Sequence, residues 1–159
     1  MLKKNHLLHI WVDADACPVA IKEVLFRAAE RTQIMTTLVA NSALRIPKSP
    51  YIQMLQVGAG FDVADHKIIS LLKAEDLVIT SDIPLADEVL EHHAHALSPR
   101  GELFSSDTIK SRLNMRDFLE TLRASGIHSD TTAAFKATDK QAFSNQLDRF
   151  LTRYLKNNS

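Results

Sequence analysis

The sequence predicts an α/β protein, a three-layer sandwich built on a mainly parallel sheet of four to five strands. Short apolar segments rich in β-branched residues alternate with amphipathic helical segments, the pattern of parallel strands joined by right-handed crossover helices. The segment at 76–80 is compact and apolar, as a strand buried in such a sheet is. Two helical segments close the chain, and we expect both to cover one side or one edge of the sheet.

Length and composition indicate a single globular domain and exclude some kinds of site. The chain has 159 residues, enough to bury a substantial core, and we interpret 1–159 as a single domain. The formal net charge is zero, so bulk attraction does not favour nucleic acid, although a local basic patch is compatible with this balance. The single cysteine excludes an intramolecular disulfide and a cysteine-rich zinc site.

The amino-terminal segment resembles a signal peptide only faintly. Two lysines precede a short apolar run, and Asp13 interrupts that run at once. No segment is long and apolar enough to span a bilayer. We therefore expect a cytoplasmic location and no membrane partner.

The first strand and helix are predicted from residues 7–32. Apolar residues from 7 to 12 lead into Asp13 and Asp15, and Pro18 then begins a helix over 18–32. Residues two apart on a strand point to the same side. We therefore expect both carboxylates to face one site at the carboxyl end of this strand.

Two more strands follow. Residues 34–40 form the second strand, which is rich in β-branched side chains. Two prolines make residues 42–50 a polar connection rather than a helix. Residues 51–57 form the third strand, and the glycines at 58 and 60 allow a sharp turn after it.

The middle of the chain repeats the strand–helix alternation. A short helix around Ile68 precedes a fourth strand at 76–80. Pro84 fits the first turn of a helix over 84–93, and residues 95–97 form a short fifth strand.

The carboxyl-terminal third is predicted to contain two longer helices. After a turn at 98–101, a helix over 107–124 is expected to bury four apolar side chains: Met115, Phe118, Leu119 and Leu122. Residues 125–138 show no period and are predicted to be a loop. Thr138 and Gln141 have the spacing of a capping box that begins the last helix. One stripe of that helix is apolar, at Phe143, Leu147, Phe150, Leu151, Tyr154 and Leu155.

Acidic residues follow three of the predicted strands. Parallel strands deliver their carboxyl ends to one edge, where ligands of open α/β sheets bind. Neighbouring carboxylates repel unless a cation lies between them, and hard cations prefer oxygen ligands. The sequence therefore predicts a Mg²⁺ or Mn²⁺ site formed by Asp13, Asp15, Asp62, Asp65 and Asp82.

Helix capping is the competing interpretation of these acids. Asp15, Asp65 and Asp82 all lie near predicted helix starts, where aspartate is favoured. Asp13 precedes its turn, so capping explains it least well.

Phosphate contacts are predicted at three residues near the same edge: Lys22, Ser81 and Arg100. Solvated surface charge is the alternative for each cation.

Other motifs are excluded. A cysteine-phosphatase loop would need an arginine six positions after Cys17, where Glu23 stands, so we interpret this thiol as a small buried hydrophobe. We interpret the histidines at 92, 93 and 95 as structural. Val63 stands where the dinucleotide-binding fingerprint needs its third glycine, and there is no P-loop.

The chain resembles the uncharacterised YaiI/YqxD-like bacterial family over nearly its whole length. The motifs that carry the resemblance are long: residues 11–18, Lys22, 27–31, 39–41, 60–65, 76–86, 98–102, 115–118 and 122–126.

This resemblance implies a PIN-like fold related to metal-dependent nucleases, whose strand-end acids hold Mg²⁺ or Mn²⁺. The matching positions are Asp13, Asp15, Asp62, Asp65 and Asp82. Residues 128–133 depart from the family's usual Thr-Gly-Gly-Pro-like loop, and Lys140 replaces a common arginine.

Three functional hypotheses follow. The first is a metal-dependent phosphodiesterase acting on RNA or another phosphate-containing substrate, with Asp13, Asp15 and Asp82 as catalytic residues. The second resembles a haloacid-dehalogenase phosphatase, with Asp13 as nucleophile, Asp15 as acid/base and Asp82 and Asp87 on Mg²⁺. The third is a non-catalytic nucleic-acid- or protein-binding module.

Overall fold

A single five-stranded sheet organises the computed structural model, which describes residues 7–60, 62–124 and 134–157. All of its strand pairs are parallel, and the strand order is β3-β2-β1-β4-β5. The strands are β1 (His9–Asp13), β2 (Met35–Ala40), β3 (Ile52–Gln56), β4 (Leu77–Ile79) and β5 (His95–Leu97). The predicted α/β class and parallel sheet are confirmed.

The helices lie close to their predicted positions. They are α1 (Val19–Thr32), α2 (Val63–Leu71), α3 (Ile83–Glu91), α4 (Ser106–Ala124) and α5 (Ala137–Asn157). Residues 125–133, most of the predicted loop, lie outside the described part of the chain. None of the helices described is long and apolar enough to cross a membrane.

Two apolar layers lie on opposite faces of the sheet. On β1, Ile10 and Val12 belong to the layer formed with α1 and α5, whereas Trp11 belongs to the layer formed with α2, α3 and α4. This is the alternation expected of a strand buried on both faces. The prediction that the last two helices share one side is wrong. Each face still has apolar sheet surface to cover, and α4 and α5 cover opposite faces.

The apolar stripe predicted for α4 is only partly buried. Ile109 in the second turn is 2% exposed, but Met115 and Phe118 are 55% and 57% exposed. Leu119 and Leu122 are half-buried. The prediction that this stripe is buried is therefore wrong for Met115 and Phe118. Periodicity identifies the apolar face of a helix, but it does not show whether another element covers that face.

The start of α5 also differs from the prediction. The helix begins at Ala137, and the carboxylate of Asp139 accepts the backbone N–H of Lys136 at 2.9 Å. The predicted capping box at Thr138 is wrong, because a carboxylate in the first turn caps the residue that precedes the helix.

The loop after β5 is docked tightly against α5. Gly101 has φ +94°, and a Cβ placed there would lie 2.6 Å from the backbone carbon of Ala142. Arg100 donates to the carboxylate of Asp139 at 2.8 Å. These contacts anchor α5 beside the edge strand of the sheet.

The connection from β2 to β3 crosses the sheet without a helix, as predicted. Leu44 and Ile46 pack against the same apolar layer as α1 and α5, while Arg45 and Lys48 are exposed. The connection therefore runs along α1, from the carboxyl end of β2 to the amino end of β3.

The strand order creates a switch point between β1 and β4. The chain moves outward from β1 through β2 to β3, and then returns to place β4 on the other side of β1. In open parallel sheets, ligands bind in the crevice beyond the carboxyl ends at such a reversal. The ends of β1 and β4 are therefore where a functional site is expected.

Candidate active site at the carboxyl ends of β1 and β4

A hydroxyl connects the two strands at the switch point. Thr80, which directly follows β4 and is 1% exposed, donates to the carboxylate of Asp13 at 2.9 Å. The same Thr80 oxygen accepts the backbone N–H of Asp82 at 3.0 Å. One buried side chain thus fixes the position of the Asp13 carboxylate relative to the turn that carries Asp82.

Asp82 caps α3 and also faces the site. Its carboxylate accepts the backbone N–H of Leu85 at 3.0 Å, and Pro84 occupies the first turn. The capping interpretation therefore holds for Asp82. Its charge is also close enough to raise the pKa of Asp13, so capping does not remove this carboxylate from the site. Ser81 is exposed beside it.

Asp62 and Asp65 enter from the start of α2. Asp62 precedes the helix in the left-handed region, with φ 63°, a conformation that aspartate tolerates better than most residues. The charges of Asp62, Asp82 and Asp13 all contribute to a raised pKa of Asp65. The third segment predicted to contribute acids therefore does reach the same site.

Burial and neighbouring charges raise the pKa of two of these carboxylates. The pKa of Asp65 is raised to about 7, mainly by burial and in addition by the charges of Asp82, Asp13 and Asp62. Burial likewise raises the pKa of Asp13, helped by Asp82 and Asp15 and opposed by the hydrogen bond from Thr80. Like charges this close disfavour ionisation. The site is therefore an acidic cluster in which charge is not compensated internally.

Asp15 lies at the margin of this cluster. Strand β1 ends at Asp13, so the alternation that would place both side chains on one side does not continue to Asp15. The Asp15 carboxylate instead accepts the backbone N–H of Asn41 at 2.9 Å, at the end of β2. It still contributes to the raised pKa of Asp13.

The predicted phosphate-binding cations occupy different environments. Lys22 is half-buried on α1 and lies near the thiol of Cys17, whose pKa burial raises to about 12 while the lysine charge opposes that shift. The thiol is therefore protonated at neutral pH, as expected of a structural cysteine. Arg100 is paired with Asp139, so its predicted role in phosphate binding stays a prediction.

The structure limits how many side chains could bind one metal ion. Within the residues that the structure describes, no group of three histidine, cysteine, aspartate or glutamate side chains is placed to hold a metal ion. Mg²⁺ typically keeps several waters and binds through one or two carboxylates together with substrate phosphate oxygens. An ion held in that way would need only two protein ligands, which could be Asp13 and either Asp82 or Asp65.

Two residues important for the site's architecture were not predicted as such. Thr80 ends the fourth predicted strand, and no sequence pattern marks its hydroxyl as the link between Asp13 and the turn at Asp82. Asp76, at the opposite end of β4, is 1% exposed and accepts the backbone N–H groups of His9 and Lys73 and the indole N–H of Trp11, at 3.0–3.1 Å. An aspartate that begins an apolar strand is a signal for such a buried acceptor, since an unpaired carboxylate there would be costly.

Fold and site together define an α/β protein with an acidic cluster at its topological switch point. Residues 11–153 match the family described as "Uncharacterized BCR, YaiI/YqxD family", and the chain belongs to this family. No solved structure matches the chain. The parallel sheet confirms the α/β architecture, whereas its PIN-like character stays a prediction.

Relatives named "UPF0178 protein" match along almost their whole length. That of Colwellia psychrerythraea is 60% identical over 149 residues, which cover 94% of this chain and 99% of the relative. Those of Shewanella amazonensis and Halorhodospira halophila are each 61% identical over 146 residues, covering 92% of this chain and 98% and 97% of the relatives. These names state no activity.

Proposed function

We propose that this protein is a Mg²⁺- or Mn²⁺-dependent phosphodiesterase that acts on nucleic acid, with RNA as the preferred class of substrate. One observation carries the proposal: Asp13, Asp65 and Asp82 come from three separate segments, and their charges act on one another's site strongly enough to raise the pKa of Asp13 and of Asp65 at the switch point of the sheet. A cluster of perturbed carboxylates in a ligand-binding crevice is typical of a functional site rather than of a structural one.

A divalent ion bound there would polarise a phosphate oxygen and make a bound water more acidic. Asp13 is the first candidate ligand, because Thr80 holds its carboxylate in place from a buried position. Asp82 is the second, since its backbone is fixed by the same hydroxyl and by the start of α3. Asp65 and Asp62 would orient water beside the ion, and Ser81 and Lys22 would contact the substrate phosphate.

The phosphatase hypothesis fits the geometry less well. It assigns Asp15 as the acid/base that serves Asp13. The Asp15 carboxylate accepts the backbone N–H of Asn41 at the end of β2, and the neighbouring charge with the larger effect on the pKa of Asp13 is that of Asp82 at the start of α3. The arrangement therefore favours the hypothesis in which carboxylates bind one cation. It fits less well with Asp13 as a nucleophile and Asp15 as its acid/base.

The test is cleavage of an end-labelled, mixed-sequence RNA in the presence of Mn²⁺ by the wild type and by Asp13→Asn. We expect Asp13→Asn to lower the cleavage rate about 100-fold or more, equivalent to roughly 2.7 kcal/mol of transition-state stabilisation. Glu91→Gln is the matched control, because it makes the same carboxylate-to-amide change at an exposed position in the last turn of α3. Equal rates for the wild type and Asp13→Asn would remove this aspartate from the mechanism.

A further inference from the structure

An acidic site presents a problem for a polyanionic substrate. The carboxylates around Asp13 repel phosphate groups, and the chain as a whole carries no net charge to offset that repulsion. A nucleic acid would therefore need a separate attractive surface near the site. The distribution of charge over the two faces of the sheet shows where that surface lies.

The two faces differ in charge. The elements on one face, α1, α5 and the connection 41–50, together contain nine lysines and arginines and four acidic residues. The helices on the other face, α2, α3 and α4, together contain five lysines and arginines and seven acidic residues. The net charge of the chain is zero, but one face of the sheet is covered by basic elements and the other by mildly acidic ones.

Exposed cations on the first face line two depressions of the surface. One trough is lined by Arg27 and Arg31 of α1 and by Pro47 of the connection. A second trough, on α5, is lined by Arg149 and Arg153. The two troughs adjoin where Arg31 pairs with Asp148 at 3.2 Å. We define the basic surface by its exposed cations: Arg27, Arg31, Arg45, Lys48, Arg149 and Arg153.

Most of this charge is available to a ligand. Across the described ranges 7–60, 62–124 and 134–157, Arg27, Arg45, Lys48 and Arg153 form no ion pair. The acidic side chains that line the two troughs are Glu30 and Asp148, and Asp148 is already paired with Arg31. Uncompensated arginines and lysines on one face are typical of surfaces that contact phosphate backbones.

The connection 41–50 joins the basic surface to the acidic site. It begins at Asn41, whose backbone N–H binds Asp15 beside Asp13. It then carries Arg45 and Lys48 outward, and its Pro47 lines the trough with Arg27. A strand lying along this connection would therefore lead from the α1–α5 face to the carboxyl ends of the strands.

We infer that the basic surface binds the sugar-phosphate backbone of a single-stranded nucleic acid and leads the strand along residues 41–50 to the aspartate cluster. The inference rests on the proposed function for its class of ligand. Binding itself requires no metal, because arginine and lysine supply the attraction.

The experiment is fluorescence anisotropy of a 5′-labelled, single-stranded 20-nucleotide RNA with the full chain in EDTA, between 50 and 200 mM salt. Arg27→Gln/Arg153→Gln removes two exposed charges from the basic surface. Lys73→Gln/Lys110→Gln is the matched control, since it removes two exposed charges associated with the opposite layer. We expect the first pair to weaken binding about 10-fold at low salt and to reduce the salt slope by roughly 1.4, at about 0.7 per phosphate contact. The control variant Lys73→Gln/Lys110→Gln should leave the RNA affinity and the salt slope nearly unchanged.

Two results would overturn the inference: absence of RNA binding by the wild type at 50 mM salt, or an equal loss in the two double variants. The outcomes separate it from the proposed function. RNA binding through the basic surface without cleavage in Mn²⁺ would contradict the phosphodiesterase and support the surface. Mn²⁺-dependent cleavage with unchanged affinity in Arg27→Gln/Arg153→Gln would support the enzyme and contradict the surface.

Discussion

The two ends of β4 carry aspartates in opposite environments. At the amino end, Asp76 accepts three N–H groups and is fully enclosed. Beyond the carboxyl end, the charge of Asp82 helps to raise the pKa of Asp13 and of Asp65. Donors stabilise a charged carboxylate, whereas neighbouring carboxylates destabilise it. The same residue type, six positions apart, is therefore structural at one end of the strand and a candidate for chemistry at the other.

The contrast predicts that one substitution has opposite effects at the two ends. Asp76→Asn keeps the volume of the side chain but turns an amide NH₂ group toward backbone and indole donors. We expect this change to lower the free energy of unfolding by about 2–4 kcal/mol, because charge-assisted hydrogen bonds are lost and a buried donor is left unpaired. Urea denaturation at pH 7 measures it. Stability equal to the wild type would show that Asp76 is not a structural acceptor.

Asp65→Asn is expected to stabilise the protein. Folding raises the pKa of Asp65 from 3.8 to about 7, so the folded state holds a proton that the unfolded chain releases. This contribution to stability is fully present below pH 4 and is lost as the pH rises through about 7. At pH 8 the substitution removes that cost, and we expect a gain of about 1–2 kcal/mol after allowance for solvent screening.

The pH dependence distinguishes this effect from a general packing change. The gain from Asp65→Asn should be largely lost at pH 4, where Asp65 is protonated in the folded state and partly protonated in the unfolded state. Urea denaturation at pH 4 and pH 8 provides the comparison. A gain of the same size at both pH values would show that like-charge repulsion is not its cause.

Much of the contrast between Asp76 and the acidic cluster follows from the sequence, because the ends of strands can be predicted. Apolar runs located the strands, and a parallel sheet brings its carboxyl ends to one edge, so the meeting of Asp13, Asp65 and Asp82 could be predicted from residues distant in sequence. Asp15 could not be placed in this way, since its orientation depends on the strand ending at Asp13. The three donors that surround Asp76 come from β1 and from the turn before β4, and only the folded sheet shows them together.

For the helices too, the sequence predicts some features and only the structure shows the others. Their positions follow from periodicity, but the choice of face for α4 and α5 depends on which apolar surface of the sheet the earlier helices leave open. The exposure of Met115 and Phe118 has the same origin, because a stripe of apolar residues does not specify its covering partner.

We expect the acidic cluster to bind a divalent cation in the folded state. The most direct measurement is the thermal midpoint of the wild type and of Asp13→Asn, each in EDTA and with millimolar Mn²⁺. A ligand at about 100 times its dissociation constant stabilises the folded state by roughly 2.7 kcal/mol. For a chain of this size, that corresponds to a rise of about 5–10 °C. We predict this rise for the wild type and little or none for Asp13→Asn. No rise in the wild type, or an equal rise in both proteins, would contradict the claim.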